Sequence, residues 1–299
     1  MSQSRVVIVR AAAPLEPGSP TDRVRLLRMF QKGFALVTGE REDRAAVLSV
    51  LRADDRLAIK VNTIGGRALS TRPEVALGLA GWLAANGLVE RNIVVWDRTS
   101  RELRDAGYRL NAGPSGPRVL GTDADGAGYG ESLVAHRNIG SLFSKIQTDF
   151  ATASISLAVL KDHGMAGVTA GMKNYFGAIH NPNKYHDSHC DPFVAEVFDA
   201  PPVRPKHRLS ILDALVVQYH RGPAFHAQWA ERFGGLVFSL DPVAADSVGW
   251  SLVERLRAAK GLPSLKEEGR APAYLATAER MGLGRAGPAG IETVEEAVP

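Results

Sequence analysis

The chain has 299 residues, 45% hydrophobic and 23% charged, with a formal net charge of +4. That is enough apolar material for one large domain or two modest ones. Its scattered Lys and Arg leave no nucleic-acid footprint, no apolar run approaches the ~20 residues of a membrane-spanning helix, and a single cysteine excludes an internal disulfide and any multi-cysteine cluster within the chain.

The opening MSQSRVVIVRAAAP has a short apolar run but no long apolar core, so it does not read as a signal peptide, and the chain is expected to be cytoplasmic. Val6 to Val9 read as a strand. After a Pro/Gly loop, Ser19 and Pro20 suit an N-cap and first helical position, with Val24, Leu27, Phe30 and Phe34 at helical spacing before Gly39. Arg56 to Asn62 (RLAIKVN) reads as a strand. Thr71 and Glu74 have capping-box spacing before a helix that ends at Asn86-Gly87. NIVVWD, residues 92–97, is the next strand, and its Asp97 reads first as the cap of a following helix. This β-loop-α-β alternation predicts an α/β fold with a mostly parallel sheet flanked by helices. The expected shape is two lobes with a cleft at strand C-terminal ends, where open sheets bind ligands.

The Gly/Pro/Asp-rich run from Gly113 to Gly130 marks a boundary. It divides an N-terminal lobe (1–118) from a second α/β lobe (119–262), with a C-terminal helix and tail at 263–299. TDADG at 122–126 lacks the full ligand spacing of a calcium loop. Ser141 to Phe150 reads as a helix. SISLAVL, residues 154–160, is a near-continuous apolar strand of the kind buried on both faces. Helix 191–199, strand 209–217 with Asp213 inside it, and strand 235–240 follow. Asp241-Pro242 then starts a helix as N-cap and first position. A last helix is expected around Ala273 to Met281, with a disordered end.

The chemistry concentrates in TAGMKNYFGAIHNPNKYHDSHCDPF, residues 169–193. His163, His186 and His189, with Asp187 or Asp191, could hold a metal, iron or zinc, because imidazole is the commonest ligand and two His plus a carboxylate suits non-haem iron. The same residues could instead form a polar loop bonded to backbone, or do acid–base work without metal. Lys173 and Asn174 follow Gly171, and a lysine there can bind an acid group or act as nucleophile. His180 joins Lys173 and Asn174 as a catalytic candidate. Lys60, Asn62, Lys161 and Lys184 would draw a small anionic substrate, as the mild basic balance also suits. Asp246 is as well suited to a structural pair as to a site. Cys190 reads as packing, His220, Arg221 and His226 as loop residues, and no G-x-S-x-G elbow is present.

LAVLKDHGMAGVTAGMKNYFG at 157–177, KVN at 60–62, STRPEVALGLAGWLAANG, IVVWD, LSILDALV at 209–216 and SLDPVAADSVG at 239–249 together resemble the bacterial and archaeal family catalogued as domain of unknown function 362. Lys161, His163, Lys173, Asn174, Asp213, Asp241 and Asp246 match its pattern, while His180, His186 and His189 belong to a narrower subgroup. The family has no general assigned reaction. By the resemblance, many relatives look exported or are joined to ferredoxin-like iron–sulfur segments; this chain is expected to depart from them, its opening showing no twin-arginine pattern and its single cysteine being too few for an internal cluster. The glycine-flanked lysine also faintly resembles the nickel-pincer lactate racemases. The expectation is a metal-dependent enzyme acting on a small anionic organic molecule, an oxidoreductase by family context, or a hydrolase. The alternatives are a metal-free lyase or isomerase using Lys and His, and a non-catalytic module for an acidic ligand.

Overall fold

The computed structural model describes residues 3–13 and 19–299; the Pro/Gly loop expected at 14–18 lies outside them. In chain order the elements are β1 (Ser4–Ala11), α1 (Pro20–Thr38), α2 (Asp43–Val50), β2 (Leu57–Val61), α3 (Pro73–Ala85), β3 (Ile93–Asp97), α4 (Ser100–Asp105), β4 (Arg118–Gly121), the hairpin β5 (Val134–His136) and β6 (Ile139–Ser141), β7 (Ala153–His163), β8 (Gly167–Thr169), α5 (Phe193–Asp199), β9 (His207–Gln218), β10 (Ala230–Glu231), β11 (Gly235–Ser239), α6 (Pro242–Ala259), α7 (Tyr274–Arg280) and β12 (Ile291–Val298).

One sheet runs β12-β1-β11-β9-β7-β2-β3-β4. The five strands from β9 to β4 are parallel, as are β12 and β1, and β11 is antiparallel to both its neighbours. The segments 1–118, 119–262 and 263–299 all contribute strands to it, so the sheet is continuous across both boundaries expected between them.

β2, β3 and β11 are buried at every position, which is why they read as unbroken apolar runs. On one face Val7, Ile59, Val95, Leu157 and Ile211 pack against Phe30 and Phe34 of α1 and Leu79 and Trp82 of α3. On the other, Ile8, Leu160 and Leu212 meet Leu252 and Val253 of α6, and Ala58 and Trp96 meet Met172, Tyr175 and Phe198. Each fully buried large apolar side chain contributes about 1.5–3 kcal/mol relative to exposure.

Four local expectations change. Thr71 does not cap α3, whose N-cap Arg72 makes no side-chain cap bond; Thr71 Oγ1 donates to Leu157 O across 2.9 Å and so ties the loop after β2 to the sheet. Ser141 to Phe150 is not a helix. Ser141 ends β6, Phe143 and Ser144 spend their backbone on bridges to Ile179 and Tyr129, and only a single wide turn at Ile146–Phe150 remains. Asp97 does not cap α4, because Thr99 does, accepting from the Glu102 amide. The C-terminal end is not disordered: it pairs with β1 from Ser4↔Ile291 to Ala11↔Val298. Its glutamates Glu292, Glu295 and Glu296 meet Arg5, Arg10 and Lys32, which suits an edge strand facing water. Asp241 caps α6 as its sequence indicates, accepting from Val243 and Ala244 amides.

Candidate active site

The chain order β2-β3-β4 runs one way along the sheet, and β7-β9 returns on the other side of β2. Between β2 and β7 is therefore the point where connections diverge, and ligands of open α/β sheets lodge outside the carboxyl ends of strands there. A cavity of about 500 Å³ occupies that position. β2 supplies Lys60, β3 supplies Asp97, and β7 supplies His163.

A cover segment, Lys173–Ala178, lies on the far side. Serines on β7 hold it. Ser156 Oγ donates to Gly171 O and accepts from Asn174 Nδ2, while Ser154 Oγ meets the Tyr175 hydroxyl. From α6, buried Asp246 accepts from the amides of Gly171 and Met172 and from the Tyr274 hydroxyl. Burial pushes this carboxyl up to about 7, against the pull of those three donors. The approach is close enough to need glycine. A Cβ on Gly177 would stand 2.7 Å from Lys60 Nζ, and one on Gly171 would stand 2.9 Å from Ser210 Oγ.

Lys60, 1% exposed, is fully satisfied. Its Nζ donates to Asp97 Oδ1 at 2.6 Å, Val61 O at 2.7 Å and Asn174 Oδ1 at 3.2 Å. Asn174 Nδ2 returns a bond to Lys60 O. Asp97 Oδ2 accepts from the amide and hydroxyl of Thr63. This Lys60–Asp97–Asn174 knot closes one wall. Arg98 bonds Glu102 beside it.

Lys173 has no carboxylate partner among the described residues. Its Nζ lies 3.3 Å from His186 Nε2 and 4.0 Å from the centre of the Phe176 ring. Burial pushes this ammonium down to about 8, with the Cys190 thiol beside it opposing the shift. Burial likewise keeps that thiol above its usual range. Lys161 is fully buried and has no hydrogen-bond partner among the described residues. It stands two residues before His163 on the same strand face, and the charges it feels, Asp97, Glu102 and Lys173, all line the cavity. Burial pushes it, too, down to about 8.

Hydrogen bonds fix both imidazole tautomers. His163 Nδ1 accepts from the Met165 and Ala166 amides, so its proton sits on Nε2. His186 Nδ1 faces Pro182 O at 2.9 Å and must donate, so its Nε2 lone pair faces Lys173. The rings stack at 5.6 Å. Burial, then the charges of Lys173, His186 and Lys161, push His163 down to about 2. Burial and Lys173 also lower His186. Both rings are neutral at pH 7.

Of the sequence candidates, Lys60, Asn62, His163, Lys173, Asn174 and His186 line this one cavity; Lys161 is fully enclosed and is not one of its lining residues. His180 does not: it is exposed and packs edge-on against Tyr129. Lys184 is exposed over the Tyr185 ring. His189 turns away because Ser188, His189 and Cys190 are three successive left-handed residues. Its Nδ1 donates to Met165 O. Asp187 is exposed and Asp191 lies off the cavity lining. The five-residue ligand set of His163, His186, His189, Asp187 and Asp191 is thus not assembled. Among the described residues no three His, Cys, Asp or Glu side chains converge in a way that could hold a metal ion.

Sequence reasoning ranked Asp97 too low and did not single out Ser156 or Phe176. The signal for Asp97 was available: an acid ends the strand (NIVVWD) that neighbours the one carrying Lys60 (RLAIKVN). The serine alternation in SISLAVL was the signal for Ser156.

The family model for a domain of unknown function, DUF362, matches residues 57–251. Comparison with curated proteins gives no match. The crystal structure of a Thermotoga maritima protein is similar at a TM-score of 0.42 and 9% identity, covering 79% of this chain; the chain spans 59% of the length of that one.

Proposed function

The chain belongs to the DUF362 family, a domain of unknown function, and from that starting point we propose that it is an enzyme moving a proton on a small anionic substrate, a lyase or isomerase using Lys173 and His186. The observation that carries this reading is the contact of a carboxylate-free ammonium, Lys173 Nζ, with the acceptor nitrogen of His186 inside the cavity. The amine is held near neutrality and can take or give a proton at physiological pH, which is what acid–base catalysis requires. Two cations without carboxylate partners, Lys161 and Lys173, favour an anion there.

His163 presents an N–H to the cavity and can donate to a substrate oxygen. Asn62, whose buried Oδ1 has no hydrogen-bond partner among the described residues, can accept from a substrate hydroxyl. The Lys60–Asp97 pair is internally neutral and serves as wall. The metal-dependent reading, with iron or zinc, calls on His189, Asp187 and Asp191, none of which lines the cavity.

The test is solvent exchange. Small 2-oxo and 2-hydroxy acids are incubated with the protein in deuterated buffer containing a chelator. Loss of a substrate C–H signal with wild type, absent in Lys173→Met and His186→Gln, supports the reading. No exchange in any acid that shifts the melting temperature overturns it.

A further inference from the structure

We propose that Lys173 forms an imine with a 2-oxo acid bound in this cavity, the enclosed charge of Lys161 behind the lining favouring its carboxylate. The inference rests on the acid–base reading of the same site and names its substrate class.

Three amines stand at this end of the sheet, and the structure separates their duties. Lys60 spends its ammonium protons on Asp97, Val61 O and Asn174, so it has no free lone pair. Lys161 is enclosed and has no hydrogen-bond partner among the described residues. A buried charge without a partner is costly unless something supplies one, and a carboxylate is the complement. Lys173 faces the cavity with a basic nitrogen, His186 Nε2, at 3.3 Å and an aromatic face beneath it. A desolvated lysine near a second cation is the setting in which an amine becomes nucleophilic.

The step balances. The neutral Lys173 nitrogen attacks the carbonyl carbon; the C–N bond forms as the C=O π bond opens onto oxygen. Nitrogen gives up its two protons in turn through His186 Nε2 to the oxygen: the first makes the carbinolamine hydroxyl, and the second lets that oxygen leave as water as the C=N bond forms. Amine and 2-oxo acid give imine and water, with no oxidant or metal required. The imine draws electrons from the adjacent carbon, so His186 can then remove a proton there.

The cavity, about 500 Å³, has apolar wall from Ile64, Met165, Phe176 and Pro223. It therefore takes a 2-oxo acid with an apolar substituent in preference to pyruvate.

The experiment is reductive trapping of the full chain with sodium cyanoborohydride and 4-methyl-2-oxopentanoate, pyruvate as comparison, read by intact mass and peptide mapping. One adduct on Lys173, faster with the larger acid, is the expected result. Lys173→Arg, which keeps the cation, should lose the adduct while retaining the melting-temperature shift with the acid. His186→Gln should slow trapping on the order of 100-fold. Adduct spread over surface lysines, or equal labelling of wild type and Lys173→Arg, overturns the proposal. If no adduct forms yet wild type still exchanges the substrate C–H, the imine falls and the proton-transfer reading stands. If neither occurs while the acid binds, both fall.

Discussion

Lys60 Nζ and Asp97 Oδ1 meet at 2.6 Å with both side chains almost fully enclosed, joining the carboxyl ends of β2 and β3. Trp96 lies under the ammonium at 5.4 Å. Breaking one partner of such a pair leaves a buried charge uncompensated, at a cost of about 3–5 kcal/mol. Asp97→Ala is therefore expected to lower the unfolding free energy, measured by urea titration, by that amount. Removing both partners in Lys60→Met/Asp97→Leu should cost much less than the single change. A double variant as unstable as Asp97→Ala contradicts a pair held by mutual charge.

Lys161 gives the opposite expectation. An ammonium pushed from 10.5 to about 8 by burial is disfavoured by about 3 kcal/mol in its charged form. Lys161→Met removes the charge and keeps the length, so the protein should become more stable by up to that amount and lose its response to anionic ligands. Differential scanning calorimetry with and without the 2-oxo acid separates the two effects. A destabilised variant would mean that Lys161 has a structural partner.

Acid should destabilise the fold through its neutral histidines. His163 is held down to about 2 and His207, bonded to Tyr175 and Ser210, down to about 3. Both have unfolded values near 6.5. Between those values the unfolded chain binds the proton and the folded chain does not, so stability falls as pH drops below about 6.5. Asp246, raised to about 7, acts the other way: the folded state keeps a proton that the unfolded state has lost, so its contribution declines as pH rises from about 3.8 to about 7. Asp246→Asn should remove that second trend from a plot of melting temperature against pH and leave the first intact.

Activity should rise with pH through a limb near 8, where Lys173 loses its proton, because the neutral amine is the working form. Lys173→Met should cut turnover at least 10²-fold without lowering the urea midpoint. A limb unmoved in Lys173→Met would assign it to another group.

Asp246 positions the cover segment without lining the cavity. Asp246→Ala leaves the Gly171 and Met172 amides unbonded and is expected to cost about 1–3 kcal/mol. It should raise KM more than it lowers kcat. The conservative Asp246→Asn, which keeps an acceptor, should recover part of both.

The strands, the major helices and the α/β class were legible from local pattern. Runs such as IVVWD and SISLAVL are apolar because both faces are covered, and Asp241-Pro242 caps a helix by its own chemistry. The concentration of His, Lys and Asn in 169–193 was equally plain, and so was the family likeness. What local pattern could not give was which of those groups face one another. Asp97 became Lys60's partner only when β2 and β3 lay side by side. His189, three residues from His186, was turned outward by left-handed backbone, and strand β12 formed only because β1 offered an edge. Periodicity and capping act over a few residues and are written in the sequence. The surroundings of buried Lys60 depend on Asp97, 37 positions away, and Asn174, 114 away, brought near by sheet order, and that is decided only when the chain folds.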